Sequence, residues 1–324
     1  MKSFLRFAIW LLSFSSIFCL LGFLYKIIPM QRSGMYILIP SLVCITVLWW
    51  YAYKKGHSDI HLAMKVGFWG GILGILGYDL IRLPLHFLGL NPLTPIRSYG
   101  MYLTNTQHSS LGSDLVGFLY HFSNGITFAW IYTLIALRRS RWWGVAWGIV
   151  LELFAYLTVF GVVYHLKGNP TPFLIGLGAH VFYGYPLGWL AEKPEERLKK
   201  ILNSSKKIWL GGISLGIFVL ISFFALAWES PLKSHSIQGQ VRLGNDGIYQ
   251  GWTRIQLENE LLIENTTSNE LQIEIPQMKF NEILAGEQVL PIQFPEPGIY
   301  QIRIPNTDWR SAFVSVEKNG YPIE

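Results

Sequence analysis

Long apolar stretches separated by short polar connections run through the first two thirds of the chain, and that pattern admits few folds. About seven stretches reach the roughly 20 residues that a helix needs to cross a bilayer. They lie near 4–25, 35–53, 66–88, 115–137, 142–164, 172–191 and 208–228. A bilayer interior offers backbone polar groups no water, so stretches of this kind are expected as helices. Composition agrees, with 51% hydrophobic and 14% charged residues, against roughly 25% charged in soluble domains. Pro84 sits inside the third stretch and predicts a kink or an end there. Lys2 and Arg6 precede the first stretch as they would in a signal peptide. Its apolar core is long for that role and no small-x-small site follows, so an uncleaved span is expected.

The formal charge of +6 is spread in short basic runs between apolar stretches. That is the distribution of topology signals and not of a nucleic-acid groove, so no nucleic-acid partner is expected. Lys2, Lys54, Lys55, Lys65, Arg138, Arg139, Arg141 and the connection 193–207 fall on one side. Lys26, Arg32, Arg97 and Lys167 fall on the other. The positive-inside rule then expects a cytoplasmic N-terminus, seven crossings of the plasma membrane and a C-terminus outside. The segment 194–207, with Leu198, Ile201 and Leu202 among lysines, is expected as a short helix on the cytoplasmic surface. Cys19 and Cys44 both lie in apolar stretches and offer no disulfide outside the membrane.

Near Trp228 the long apolar runs stop, which divides the chain into 1–228 and 229–324. Beyond it, Thr253-Arg-Ile-Gln-Leu257, Leu271-Gln-Ile-Glu-Ile275 and Tyr300-Gln-Ile-Arg-Ile304 alternate with period two between turn signals. Short strands at this spacing predict a small extracytoplasmic all-β sandwich. From about Leu261 to Lys318 the segment resembles a cupredoxin. The resemblance rests on Leu284-Ala-Gly-Glu287, on Ile292-Gln-Phe-Pro-Glu-Pro-Gly-Ile-Tyr300 and on the closing run Phe313-Val-Ser-Val-Glu317. It implies a sandwich of that type, but a mononuclear copper site needs Cys and His in the loop after the tyrosine. Residues 302–312 hold no Cys, His or Met, and the domain has only His235 and Met278, so no type 1 copper is expected. An immunoglobulin-like sandwich is the alternative, and either would serve as a cap or as a module for an extracytoplasmic protein partner.

Inside the apolar region a pair of segments shares one pattern: Gly117-x-x-x-His121-x-x-x-Gly125-x-x-x-Ala129, and Gly176-x-x-x-His180-x-x-x-Gly184-x-x-x-Gly188. A spacing of four puts each histidine in a row of small residues along one helix side, the kind of row that packs on a neighbouring helix. Glu152 follows Gly144 and Gly148 at the same spacing. Asp79 follows a glycine-rich stretch, with Arg82 one turn on. A glycine-then-acid span before a Gly-His-Gly span occurs twice, which suggests a tandem repeat in imperfect register. At about 1.5 Å per residue, Asp79, His121, Glu152 and His180 fall in the middle-to-outer region of the bilayer. Ionisable groups there cost about 2.5–3.5 kcal/mol each on insertion scales, so they are expected to pair, protonate or bind something. Asn124 and Tyr183, each one turn from a histidine, are candidate orienting partners, and the four ionisable groups could share one pocket beneath the β-domain.

Three further features carry weaker expectations. His86 is expected at the outer interface. His57-Ser-Asp-Ile-His61 has a spacing that can bind metal on a helix, but it lies in a short cytoplasmic connection and is expected as solvated loop. The long connection 91–113 is expected either to cover the pocket mouth or to dock the β-domain.

No phosphate loop, Gly-x-Ser-x-Gly elbow or HExxH motif occurs. His121-Phe-Ser-Asn-Gly125 and His180-Val-Phe-Tyr-Gly184 resemble the "H-x-x-N-G" and "H-x-x-Y-G-x-x-x-G" helices of bacterial multi-span proteins. That resemblance covers the third to sixth stretches and implies no established activity. The leading expectation is therefore a membrane protein with a polar intramembrane site that moves or senses a small solute or ion. A membrane-embedded metal-dependent hydrolase is the alternative, with His121, His180, Glu152 and Asp79 as ligands for a divalent metal. In that respect the chain resembles alkaline ceramidase-like hydrolases, although it lacks their paired histidines one turn apart in a late span. A structural assembly factor is the third reading.

Overall fold

The computed structural model describes residues 2–90, 92–167, 170–202, 216–223, 239–245, 247–249, 252–307, 309 and 311–318. The helical region comprises α1 (Lys2–Leu12), α2 (Ser15–Leu24), α3 (Met30–Ser33), α4 (Ile39–Lys54), α5 (Ser58–Leu85) and α6 (Thr94–Thr104). It continues with α7 (Leu111–Ala136), α8 (Trp142–Leu157), α9 (Val159–Val163), α10 (Pro170–Glu192) and α11 (Pro194–Leu202). Among the described residues three stretches are long and apolar enough to cross a membrane: Lys2–Leu24, Met30–Lys54 and Ser58–Leu88.

The expected fourth and sixth spans coincide with α7 and α10, helices of 26 and 23 residues with polar side chains along them. The expected fifth breaks at Thr158, whose backbone is extended, leaving α8 as a shorter apolar helix. Of the expected seventh span only 216–223 is described, and it is helical. The division at 228/229 and His235 lie outside the described residues. α5 continues past Pro84 and passes into a π-helical turn at His86–Leu90, so the proline marks the end of the regular helix.

α5 is central, packed between α7 and α10, with α8 against the far side of α10. Its glycines make this possible. A Cβ on Gly71 would meet the Ile126 backbone of α7 at 2.8 Å, and one on Gly74 would meet the Tyr183 ring of α10 at 2.7 Å. The two Gly-x-x-x-His rows serve different neighbours. Gly117 lies on the α6 backbone and Gly125 on Ile75 of α5, whereas Gly184 and Gly188 lie on the Gly144 backbone of α8. Removing the side chain at these points lets helix axes approach, which is how apolar helices gain dispersion contact where lipid supplies no hydrophobic drive.

The connection 91–113 is not a loop alone. Residues 94–104 form α6, which is buried over most of its length and packs along α7. Pro95 in its first turn and Asn105 at its end, in the left-handed region with φ 53°, bracket it. These are ordinary start and stop residues for a helix.

Among the described residues the β-domain has nine strands: β1 (Gln240–Gly244), β2 (Gly247–Ile248), β3 (Trp252–Gln256), β4 (Leu261–Asn265), β5 (Leu271–Ile275), β6 (Phe280–Leu284), β7 (Val289–Ile292), β8 (Gly298–Ile302) and β9 (Ala312–Glu317). They form sheets of order β2-β1-β4-β7 and β3-β9-β8, with β5 and β6 as a hairpin. β1 pairs parallel with β4, and β3 parallel with β9. A parallel pair in each sheet departs from the two antiparallel sheets of the immunoglobulin arrangement. Val241, Leu243, Ile263, Ile273, Ile302 and Val314 lie in the core between the sheets.

The expected alternation holds on β5, where Leu271, Ile273 and Ile275 are buried and Gln272 and Glu274 are not. It fails on β3, β8 and β9, which are buried on nearly every residue. The reason is docking: their second face lies against the helices. Trp252, Ile299 and Phe313 pack with Met101 of α6 and with Val163 and Tyr164.

Candidate functional site

Asp79 and Arg82 lie one turn apart on α5, and His121 comes to them from α7. Nε2 of His121 is 3.2 and 3.1 Å from the two carboxylate oxygens of Asp79. Arg82 donates to Oδ1 of Asp79 at 3.4 Å and to the Pro92 carbonyl, and its guanidinium lies over the Tyr78 ring at 4.7 Å. Asp79 is 2% exposed and His121 12%.

A second dyad joins α8 to α10. Nδ1 of His180 is 2.8 Å from Oε2 of Glu152 and 3.0 Å from the Gly176 carbonyl one turn back. Glu152 is 3% exposed and His180 16%. The other oxygen of Glu152 has no partner and lies against Gly176, where a Cβ would come within 2.5 Å of it. Gly176 is thus the position that admits the carboxylate.

Tyr78 stands between the dyads, its ring 5.9 Å from that of His121 and 4.8 Å from that of His180. A cavity of about 500 Å³ is lined by Tyr78, Arg82, His121, Glu152 and His180. Apolar side chains complete it, among them Ile17, Leu20, Leu21, Phe128, Phe154 and Phe160. The β-domain contributes Pro276, Gln277, Ile299, Gln301, Arg303 and Phe313. Asp79 is not in the lining and stands behind His121.

The structure brings the four ionisable groups together as two pairs and not as one ligand set. Among the described residues no group of three or more His, Cys, Asp or Glu stands close enough to hold a metal ion. Asn124 and Tyr183 do not orient the histidines. Asn124 lines the cavity with its carbonyl oxygen unpartnered. Tyr183 donates from its hydroxyl to the Gly125 carbonyl at 2.6 Å, which pins α10 to α7. The carboxylates take the orienting role because they reach across from neighbouring helices, a relation that spacing within one helix does not show. His86, expected at the outer interface, is buried within the protein. His61 accepts at Nδ1 from Trp49 at 3.0 Å.

Two ion pairs were not visible in the sequence. Arg97 of α6 and Asp114 of α7 meet at 3.1 and 3.3 Å with both side chains fully buried. Arg254 of β3 pairs with Glu317 of β9 at 2.6 and 3.0 Å and also donates to the Thr106 carbonyl at 3.0 Å. The connection 105–110 continues the sheet, since the Arg254 amide donates to the Gln107 carbonyl at 3.0 Å and His108 bridges to Thr253. Tyr102 and Ser315 share a hydroxyl contact of 2.8 Å. Two histidines close this seam, and burial holds both below their ordinary range: His108 beside the Trp252 carbonyl, and His165 against Gly298 and Tyr300.

No protein-family profile matches the chain, and no curated protein matches it. Among solved structures it is similar to a novel purple cupredoxin from Nitrosopumilus maritimus, at 19% identity and a TM-score of 0.22. The likeness covers 24% of this chain and 98% of that one. The β-domain is defined by its own strand order and register.

Proposed function

We propose that this chain is a plasma-membrane protein of seven spans, with a cytoplasmic N-terminus, that binds a small amphipathic solute between its helical bundle and an extracytoplasmic β-domain. The protein moves or senses that solute, and the β-domain, cupredoxin-like but without copper ligands in its 302–312 loop, acts as the cap. The observation that carries this reading is the shared cavity, with two histidine–carboxylate dyads at its helical end and β-domain side chains at the other. Ligand sites are typically concave, mostly apolar and equipped with a few convergent polar groups. Its volume suits a molecule of modest size, and its mixed lining suits one with an apolar body and a polar end.

The test is retention. Wild-type protein purified into nanodiscs is extracted and searched by mass spectrometry for a bound small molecule, in parallel with Ala155→Trp, which fills the cavity from α8. A defined amphiphile held by the wild type and lost from the folded variant is expected. A wild type that retains nothing, and whose Tm no amphiphile raises, removes the basis of the proposal.

A further inference from the structure

We infer that His121 and His180 form a general acid–base pair that hydrolyses an ester bound in this cavity, with water as the second substrate. The inference rests on the solute-binding reading above and adds a reaction to it. Each imidazole has one nitrogen fixed by a buried carboxylate, Nε2 of His121 by Asp79 and Nδ1 of His180 by Glu152. The opposite nitrogens, Nδ1 of His121 and Nε2 of His180, make no hydrogen bond among the described residues, and both rings line the cavity. A carboxylate on one nitrogen sets the tautomer and the ring orientation, and leaves the other nitrogen to exchange a proton with a ligand. One such dyad occurs in many structural settings. Here two of them, carried by four different helices, flank one tyrosine ring and open on one space.

The remaining lining fits hydrolysis. Arg82, paired with Asp79, lies in the cavity wall over Tyr78 and would offer a positive charge to a developing oxyanion. The cavity reaches Gln277, Gln301 and the exposed Arg303, which gives water an entry. Among the described residues the lining holds no serine or cysteine; its hydroxyl side chains besides Tyr78, Tyr99, Tyr164 and Tyr183 are Thr94, Thr158 and Thr171, and the Thr158 hydroxyl donates to the Ala155 carbonyl. No lining hydroxyl among them is hydrogen-bonded to either histidine, so water is taken as the nucleophile. One imidazole takes a proton from water as the water oxygen bonds to the acyl carbon. The bond from that carbon to the alkoxy oxygen then breaks, and the other ring, protonated at the start, gives its proton to the leaving oxygen. A carboxylic acid and an alcohol result, and proton return between the rings restores the site. Ile17, Leu20, Leu21 and the phenylalanines would hold the acyl chain.

The experiment uses the full chain in nanodiscs with 1-octanoylglycerol, an alkyl ester whose leaving oxygen needs a proton, and reads the octanoic acid released. Turnover above empty nanodiscs is expected, with a bell-shaped pH dependence and no loss on treatment with a chelator. His121→Asn and His180→Asn should each lower kcat by about a hundredfold or more. Glu152→Gln, which keeps the shape of a positioning residue, should lower kcat more than it raises KM and displace one limb of the pH profile. It tests the inference even where a histidine variant does not fold. A rate equal to empty nanodiscs, variants within about threefold of wild type, or activity lost to chelator and restored by zinc would each overturn it. 1-O-Octylglycerol, the ether analogue, separates the two readings: if the ether raises the Tm and the ester is not cleaved, catalysis fails and binding stands. If the ether does not bind either, both fail.

Discussion

Arg97 shows how much a single side chain decides here. An arginine in the first turn of a helix opposes the helix dipole, so α6 gains nothing from it locally. Its role is to meet Asp114 of α7 in full burial and to lie over Trp252 of the β-domain at 5.9 Å. Removing one partner of a buried pair strands the other charge, at a cost of about 3–5 kcal/mol. Arg97→Ala is therefore expected to lower the Tm of the purified protein by many degrees, whereas Lys2→Ala, from a half-exposed pair with Asp59, should leave it unchanged. A Tm for Arg97→Ala equal to that of wild type would show that the pair does not hold α6. The histidines and acids of the dyads were legible as residues, because charge within an apolar helix stands out. Their pairing was not legible, because Asp79 and His121 are 42 positions apart and only helix packing joins them.

At the scale of elements, the small-residue rows were the most informative pattern in the chain. Gly144 of α8 faces the Gly188 backbone of α10, where a Cβ would come within 2.5 Å of Cα and 2.6 Å of the amide nitrogen. Backbone cannot swing aside as a side chain can, so Gly144→Ala must part the helices. A destabilisation of about 1–3 kcal/mol is expected, the usual range for overpacking. Gly178 lies on α10 as well, but a Cβ there meets nothing within 4 Å, and Gly178→Ala should leave thermal stability unchanged. Equal effects from the two substitutions would count against this packing. α6 illustrates the opposite case. Its proline start and asparagine end are visible, yet 11 residues are too few for a span, and burial against α7 through Gly100 and Gly117 is what makes the segment a structural helix.

At the scale of the whole molecule, docking of the β-domain is expected to depend on pH. Burial depresses His108 and His165 below their ordinary value of 6.5, while Glu296 and the Ile299 carbonyl only partly offset this at His165. An undocked histidine takes up a proton near 6.5, and the docked one resists it until lower pH. Docking is thus complete above that value and weakens as pH falls from it towards the depressed values. Amide exchange along β3, β9 and α6 should be slow at pH 7.5 and faster at pH 5.5, corrected for intrinsic rates. Exchange equally slow at both would contradict the assignment. The proposed topology has its own check: a phosphatase fused after Lys318 should be active and one fused after Leu202 inactive, and the reverse would invert the orientation.

Apolar stretches, glycine rows and a change to period-two strands follow from local chemistry, so the sequence by itself determined a helical apolar region, a β-domain after it and the residues able to do chemistry. Backbone hydrogen bonding and side-chain periodicity act over a few residues and are written in a few residues. Only the tertiary structure decided that Asp79 serves His121 and Glu152 serves His180, that 94–104 is a buried helix, and that one face of β3, β8 and β9 covers the helices instead of meeting water. Those outcomes depend on which surfaces meet across large sequence separations, and single-chain patterning carries no record of that partner choice.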